Sequence, residues 1–213
     1  MAGCCDPHGC DRMFGAGFAR YAARRFRRRG LDTTARRLVD FLAADGVPGA
    51  TVLDIGGGVG EIGVELLRRG AASATTLELS PAYDDEAWRL AEEAGVADRT
   101  YRKVTDIAAA PDDVEPADVV VLHRVVCCYP DYERLLGAAA DHCRGRLAFS
   151  HPSRNVATRS FVAAQNVTSS LLGREYRAFA HPPAAMVGAV EARGMRQVLK
   201  GSGMVWQVAG LVR

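Results

Sequence analysis

The sequence lacks long hydrophobic runs and contains almost no lysine. No apolar stretch in the 213 residues approaches the roughly 20 residues that span a bilayer. Asp6, Asp11 and Arg12 stand where a secretory signal would place its apolar core. These absences predict a cytoplasmic protein that does not enter a membrane. Lys103 and Lys200 are the only lysines, and abundant alanine and arginine are typical of GC-rich codons, so the arginine excess is weak evidence for function.

Disulfides are also not expected, because the six cysteines of a cytoplasmic chain are thiols or metal ligands. Cys4, Cys5, His8 and Cys10 fall within seven positions, and such side chains suit zinc, iron or copper. Their spacing matches no standard zinc finger, and a poorly ordered terminus with incidental thiols is the favoured interpretation. We therefore predict no metal site. The alternative is a soft-metal or thiophilic-substrate site that forms if the terminus folds over the centre of the protein and joins Cys4, Cys5, Cys10, Cys127 and Cys128.

The stretch from Thr51 to Glu61 carries the strongest local signal. A short apolar run ends in Asp54 and Ile55, four glycines follow within five positions, and Glu61 to Arg69 has the apolar spacing of a helix. Glycines allow a ligand to approach bare backbone, and the amides at a helix N-terminus are unpaired. The stretch therefore predicts a strand, a glycine turn and a helix that together bind a nucleotide.

The glycine turn fits two nucleotide-binding patterns. The segment 58–63 satisfies the dinucleotide fingerprint, with Glu78 at a suitable distance. The segment 54–60 also satisfies an acid-x-G-x-G-x-G pattern, which resembles that of class I S-adenosylmethionine-dependent methyltransferases. A tight structural turn without a ligand is the third interpretation. The rest of the chain must decide among them.

Two helices are predicted before the first strand. Phe18, Tyr21, Ala22 and Phe26 recur at helical spacing between Phe18 and Gly30, with six arginines on the other faces. That basic face is either solvated or able to hold phosphates, carboxylates or RNA. Asp32 is predicted to cap a second helix over Thr33 to Ala44. We divide the chain into a segment 1–46, with the cysteines and helices that cover the site, and a domain 47–213.

Further candidate residues follow the ends of predicted strands, where ligands gather in an open parallel sheet. Glu78 ends the second strand and can accept both hydroxyls of a ribose. Asp106 and Ile107 follow the third strand, although Asp106 could equally cap a helix. The fourth strand, 118–122, is continuously apolar, as in a strand covered on both faces. Candidate catalytic residues stand after the fourth and fifth strands, at His123, Cys127, Cys128, Tyr129 and His151.

The end of the chain distinguishes the two nucleotide patterns. An inserted helical region at about 153–180 is predicted to cover the substrate. Met195 to Leu199 and Met204 to Leu211 then form two strands joined by four residues, a connection that only a hairpin can make. A dinucleotide-binding domain would use another crossover helix instead. We also predict no second domain for a hydride acceptor within the 213 residues, and this favours the methyltransferase pattern.

The order of elements from Gly30 to Arg213 resembles the magnesium-protoporphyrin O-methyltransferase branch of the class I methyltransferases. The segment 30–34, the pair Tyr129-Pro130 and the aromatic terminal hairpin carry this resemblance. It implies a Rossmann-like α/β fold with a seven-stranded, mostly parallel sheet, a C-terminal antiparallel hairpin, helices on both faces and an N-terminal helical lid. The chain departs from that branch at Cys128, where the family has a histidine, and at Phe14, where it has a tyrosine. The resemblance therefore predicts architecture and not porphyrin as substrate.

The same resemblance implies S-adenosyl-L-methionine as cofactor, with contacts at Asp54, Gly56, Gly57, Gly58, Gly60, Glu78, Leu79, Asp106, Ile107 and His123. We therefore predict methyl transfer to a small molecule by in-line displacement, with His123 or His151 as a base where the acceptor carries a proton. Cys128 and Tyr129 are further catalytic candidates. The alternatives are an NAD(P)-dependent oxidoreductase and a non-catalytic or RNA-binding protein that uses the arginines of segment 20–29, although nucleic acid is not the expected partner.

Overall fold

A single mixed sheet forms the centre of the protein. The structure, a computed structural model, describes residues 14–44, 46–173, 176–201, 203 and 205–213. The strands are β1 Thr51–Ile55, β2 Ser73–Leu77, β3 Thr100–Lys103, β4 Ala117–Leu122, β5 Cys143–Pro152, β6 Arg196–Gly201 and β7 Trp206–Val212. Their order across the sheet is β3-β2-β1-β4-β5-β7-β6.

Helices alternate with the strands along most of the chain. Their bounds are α1 Ala16–Arg29, α2 Thr33–Leu42, α3 Glu61–Arg68, α4 Asp84–Glu93, α5 Tyr132–Asp141, α6 Val156–Leu171 and α7 Pro183–Glu191. Asp32 caps α2 as predicted, because its Oδ1 accepts the Ala35 amide at 2.8 Å. The helix predicted within the inserted region is present as α6.

The direction of the strands confirms the predicted fold class. β1 pairs in parallel with β2 and β4, and the parallel pairing continues to β3 on one side and β5 on the other. β7 runs antiparallel between β5 and β6, with Phe149 opposite Ala209. An antiparallel strand such as β7 can follow its neighbour through a hairpin, without a crossover helix. The short connection after Leu199 predicted this arrangement.

The sheet is covered on both faces because its central strand is apolar on both faces. Val119 and Val121 of β4 pack into one core cluster with side chains of α1, α2, α3 and α4. Val120 and Leu122 pack into a second cluster with side chains of α5 and α7. The continuous apolar run of β4 is therefore explained by its two covered faces. Since α1 and α2 share the first cluster with the sheet, the boundary predicted at residue 46 stays a prediction.

The buried face of α1 differs from the predicted one. Phe26 is buried, but its buried neighbours are Ala19 and Ala23, whereas Phe18 is 45% exposed and Tyr21 is 62% exposed. Because alanine is small, α1 approaches the core closely along its alanine face. The larger rings of Phe18 and Tyr21 therefore lie to the side of this face. The spacing of apolar residues indicated the helix correctly, but it did not indicate which of them face the core.

Some predictions concern residues outside the described ranges. Cys4, Cys5, His8 and Cys10 are among these, so the cluster of five thiols stays a prediction. Within the described residues, no group of three or more metal-ligating side chains could hold an ion. Among the same residues, no helix combines the length and apolar character needed to cross a membrane.

Candidate active site

A cavity of about 270 Å³ lies at the carboxyl ends of β1, β2 and β4. The glycine turn after β1 forms its floor, the segments after β2, β3 and β4 form its walls, and α1 lies across it. The aromatic side chains on its wall are those of Phe14, Phe18, Tyr21, Tyr83 and Tyr129. Phe18 and Tyr21, which turn away from the core, face this cavity.

The glycine turn requires glycine for two reasons. Gly58 and Gly60 have φ angles of +55° and +77°, a backbone conformation that side chains with a Cβ disfavour. Gly57 has no such φ, but a Cβ there would lie 2.5 Å from Cγ of Asp54. The carboxyl group of Asp54 therefore packs directly against the backbone of the turn. Gly56, Gly57 and Gly58 line the cavity, whereas Gly60 does not.

Glu78 joins the glycine turn to the end of β2. Its Oε2 accepts the amide of Gly58 at 2.9 Å, and its Oε1 accepts the amide of Ser80 at 3.1 Å. Burial raises the pKa of this carboxyl group, although these hydrogen bonds and Arg102 oppose the shift. Glu78 and the following Leu79 both line the cavity. The acidic residue predicted to accept ribose hydroxyls is thus placed within reach of a ligand on the turn.

Asp54 and Arg102 form a buried charged layer behind the turn. Asp54 is 1% exposed, does not line the cavity, and neither of its oxygens has a hydrogen-bond partner among the described residues. Burial first, and then Glu61, raise its pKa to about 7, while Arg102 opposes the shift. Arg102 donates from Nε to Asp84 at 2.9 Å, and its two other guanidinium nitrogens are buried without a partner in the described part of the chain.

Arg102 was missed by the sequence analysis. In β3 exposure alternates, with Tyr101 and Lys103 exposed and Arg102 turned inward opposite Thr76 of β2. This alternation was the available signal, but an arginine in a short strand is usually assigned to solvent. Its inward position partly compensates the buried carboxyl group of Asp54, because Arg102 acts to lower the pKa of that group.

Four charged side chains and one histidine connect α1 to the rest of the site, and we refer to Arg25, Asp32, Glu61, His123 and Arg124 as the latch cluster. Asp32 Oδ2 lies 2.7 Å from Arg124 Nη2, 3.6 Å from Arg25 Nη2 and 3.8 Å from His123 Nε2. Glu61 lies 3.5 Å from Arg25. Although burial opposes it, His123, the Ala35 amide and Arg124 hold the pKa of Asp32 well below its usual range. These contacts join both N-terminal helices to the glycine turn and to the segment after β4.

The segment after β4 brings His123 and Tyr129 to the cavity. His123 Nδ1 lies 3.1 Å from the Ser150 hydroxyl, which also accepts the Arg124 amide at 2.8 Å. The opposite nitrogen of His123 is buried and has no hydrogen-bond partner among the described residues. Tyr129 donates its hydroxyl proton to Asp106 at 2.9 Å. Asp106 and Ile107 also line the cavity, as the sequence predicted.

Cys127 and Cys128 form a pair of neighbouring thiols at one end of the cavity. Their sulfur atoms are 3.6 Å apart, and the Tyr176 hydroxyl lies 3.1 Å from Sγ of Cys128. Phe14 packs edge-on against the ring of Tyr176 at 5.5 Å between centroids. Cys128 lines the cavity. Tyr176 belongs to the inserted region and was not a predicted site residue, because nothing local in the sequence connects it to Cys128.

His151 is a predicted catalytic residue that the structure places outside the cavity wall. It is 4% exposed, does not line the cavity, and its ring packs 5.9 Å from that of Phe149. Its Nδ1 lies 3.0 Å from the carbonyl oxygen of Pro152, and burial lowers its pKa. Side chains alternate along β5, so His151 points to the face opposite Ser150. A catalytic role of His151 stays a prediction that this position does not favour.

Comparisons with known proteins agree with this architecture. A search of the curated proteins finds no match. Among solved structures, the chain is similar to magnesium protoporphyrin IX methyltransferase from Synechocystis PCC 6803 with bound SAH, at 21% identity and a TM-score of 0.73, covering 95% of this chain and 97% of that chain. It is also similar to geranyl diphosphate C-methyltransferase from Streptomyces coelicolor A3(2), at 15% identity and a TM-score of 0.67, covering 92% of this chain and 84% of that one.

A third similar structure is an O-methyltransferase family 2 protein from Planctomyces limnophilus DSM 3776 in complex with apigenin. The identity is 19% and the TM-score 0.67, over 92% of this chain and 61% of that one. A family model described as a methyltransferase domain matches residues 22–203, which is most of the chain. The chain therefore belongs to this methyltransferase domain family, and its fold is that of the class I methyltransferases.

Proposed function

We propose that this enzyme methylates a small, largely apolar molecule inside the cavity beneath α1. The observation that carries the proposal is the position of α1 and the residues just before it, because the rings of Phe14, Phe18 and Tyr21 line the cavity above the glycine turn. An aromatic wall of this kind suits a compact ligand, because apolar pockets with a few polar groups are typical of small-molecule sites. The similar proteins are a magnesium protoporphyrin IX methyltransferase, a geranyl diphosphate C-methyltransferase and an O-methyltransferase family 2 protein in complex with apigenin, and this supports a small-molecule acceptor here.

The residues of the site fit S-adenosylmethionine. The bare backbone of segment 56–58 gives the close approach that the adenosine half requires, and Glu78 is available to the ribose. Asp106 and Ile107 are assigned to the adenine. Asp54 and Gly60 act from behind the turn, where they hold the backbone in place and do not touch the ligand. The cofactor supplies a methyl group on a positively charged sulfur, and the chain must bind, orient and shield it.

His123 is proposed as the base for an acceptor that carries a proton. If the Ser150 hydroxyl accepts the proton of Nδ1, the buried Nε2 presents a lone pair at the cavity wall. The acceptor proton then passes to Nε2 as the bond to the methyl group forms. Ser150 is the positioning residue in this scheme because it fixes the ring and its tautomer. An acceptor that is already an anion needs no such base.

A binding experiment tests the proposal. Isothermal titration is expected to show saturable binding of S-adenosylhomocysteine and no binding of NAD. Incubation with labelled S-adenosylmethionine and a panel of aromatic and isoprenoid small molecules is then expected to give a labelled small product. Label transferred to RNA, together with RNA affinity that falls steeply with salt, would overturn the small-molecule proposal in favour of nucleic acid.

Tyr21→Ala is expected to weaken acceptor binding and leave cofactor binding nearly unchanged. The ring of Tyr21 lines the cavity from α1, on the side opposite the glycine turn. Loss of one aromatic contact of about 1 kcal/mol corresponds to a KM for the acceptor about fivefold higher. The affinity for S-adenosylhomocysteine should change less than twofold. Phe161→Ala is the matched control, because Phe161 is 68% exposed on α6 and does not line the cavity.

Asp32→Asn is expected to loosen the latch cluster without removing the cap of α2. Asparagine caps a helix as well as aspartate does, so the bond to the Ala35 amide is retained. The charge that faces Arg124 and Arg25 is lost. For half-buried pairs of this kind about 1 kcal/mol is expected, or about fivefold faster release of S-adenosylhomocysteine in stopped-flow measurements. An unchanged release rate would show that the cluster does not hold α1 over the cofactor.

A further inference from the structure

The neighbouring thiols Cys127 and Cys128 stand apart from the methyl-transfer chemistry described above. Both are reduced thiols in a short turn after β4, and the Cys127 thiol contacts the carbonyl oxygen of Arg124 at 3.4 Å. The carbonyl oxygen of Cys127 accepts the amide of Phe179 at 2.7 Å, which ties the turn to the inserted region. These contacts hold the turn that carries the two sulfur atoms.

That separation has a specific geometric meaning. Two sulfur atoms 3.6 Å apart, each about 2.3 Å from a shared centre, subtend an angle of about 103° at that centre. This is the angle of a pyramidal or tetrahedral centre. A linear two-coordinate ion would need sulfur atoms about 4.6 Å apart at the same bond length. The pair is thus already spaced for a three- or four-coordinate soft Lewis acid.

A disulfide fits the same pair less well. The Cα atoms of adjacent residues are about 3.8 Å apart across a trans peptide, which is shorter than the usual 4.4–6.8 Å of a disulfide. Closing the sulfur atoms to about 2.0 Å would require the turn to distort. Binding one shared atom requires no such movement. A closed four-ligand zinc site is also not formed here, since no third metal-ligating side chain joins the pair among the described residues.

We propose that Cys127 and Cys128 form a dithiol site for a thiophilic trivalent centre, of which an arsenic(III) compound is the simplest example. Two sulfur–arsenic bonds form, and two bonds from arsenic to oxygen break. The two thiol protons leave with the displaced oxygen as water, and arsenic stays trivalent, so no oxidant is needed. Cys128 lines the cavity, so the third position of the bound centre is placed toward the space where the methyl donor lies.

The surroundings of Cys128 favour bond formation at its sulfur. The hydrogen bond with Cys127 lowers the pKa of Cys128, and the Tyr176 hydroxyl acts in the same direction, although burial opposes both. The same contact with Cys128 raises the pKa of Cys127. One thiol of the pair is therefore the readier nucleophile and attacks first, and the second bond then forms within the same molecule. This site does not depend on the N-terminal thiols.

Phenylarsine oxide is the probe that tests the site, because its arsenic has two exchangeable positions and needs two thiols. The background is Cys4→Ser/Cys5→Ser/Cys10→Ser, since Cys4 and Cys5 are a second adjacent pair. Intact mass spectrometry is expected to show one phenylarsenic group bound and two thiol hydrogens lost. Adding Cys127→Ser or Cys128→Ser should weaken binding about 10²-fold or more, because the second bond no longer forms intramolecularly. With both replaced, Cys143 is the one thiol left in the chain.

Two results would overturn the proposal: no mass gain in the background protein, or a gain that survives Cys127→Ser. The thermal unfolding midpoint of each variant shows whether it is folded, and Cys127→Ala provides a second variant if serine disturbs the turn. The phenylarsine oxide experiment contains no methyl donor or acceptor. The titration with S-adenosylhomocysteine tests the proposed function separately. Failure of one is thus distinguishable from failure of the other.

Discussion

Replacing Gly57 with alanine is expected to weaken binding of S-adenosylhomocysteine about 10- to 100-fold. The added Cβ would lie 2.5 Å from both Cγ and Oδ2 of Asp54, which is too close for any real contact. Asp54 is fully buried and cannot rotate into solvent, so the backbone of the turn must move toward the cavity. Overpacking of this kind costs about 1–3 kcal/mol. If this strain is present in the conformation of the turn that binds the ligand, it corresponds to the stated loss of affinity. Isothermal titration measures this effect directly.

Gly188→Ala is the matched control for this substitution. Gly188 lies in α7, away from the cavity, and an added Cβ meets no atom within 4 Å. Alanine in a helix interior is expected to raise the free energy of unfolding by about 0.5–1 kcal/mol and to leave ligand affinity unchanged. Equal affinities of the Gly57→Ala variant and the wild-type protein would show that the turn is not the binding surface.

Replacing Asp54 with asparagine is expected to stabilise the ligand-free protein, and to do so more strongly as the pH rises. The pKa of Asp54 rises on folding from its usual 3.8 to about 7, chiefly because of burial. Between these values the folded protein binds a proton that the unfolded chain has lost, so raising the pH destabilises the fold. The shift corresponds to about 4 kcal/mol as an upper value. Asparagine keeps the shape of the side chain and does not ionise.

Urea unfolding between pH 4 and pH 8 checks this prediction. The difference in unfolding free energy between the Asp54→Asn variant and wild type should be small near pH 4, increase through pH 7 and then level off. Asp118→Asn provides a control of opposite sign, because hydrogen bonds from Thr51 lower the pKa of Asp118. That variant should lose stability at neutral pH, and the loss should shrink as the pH falls. A flat difference for Asp54→Asn would contradict the buried, unpaired state of its carboxyl group.

The buried side chains of Asp54 and Arg102, which lie behind the glycine turn, affect the stability of the fold as well as the shape of the site. Asp54 is unpaired in the ligand-free protein and Arg102 has two unpartnered nitrogens among the described residues. A buried charge that is only partly compensated is costly, so this layer lowers the stability of the fold behind the glycine turn. The fold is therefore less stable than it would be without this buried charge, next to the place where the cofactor is expected to bind.

Much of the fold was predictable because it depends on local patterns. The apolar run of β4 indicated a strand covered on both faces. The four glycines indicated a turn, which the structure has between β1 and α3. The short connection after Leu199 determined that β7 runs antiparallel, which distinguished a methyltransferase from a dinucleotide-binding domain. Each of these signals lies within a dozen residues of sequence.

The site was predictable only where a motif or the end of a strand marked it. The glycine turn, Glu78, Asp106, Ile107 and His123 were found this way, and the structure brings most of them to one cavity. Their roles toward the cofactor, the identity of the acceptor and a cytoplasmic location stay predictions. His151 shares the strand-end signal but points to the other face of β5, since adjacent residues of a strand face opposite ways.

The sequence by itself determined the order of helices and strands, the direction of the last strand and the family of enzymes. Only the tertiary structure decided that α1 turns Tyr21 to the cavity, that Arg102 lies buried behind Asp54, and that Tyr176 reaches Cys128 across 48 positions of sequence. The physical reason is that backbone conformation follows from neighbouring residues, whereas burial and charge pairing depend on segments that meet only when the sheet has formed.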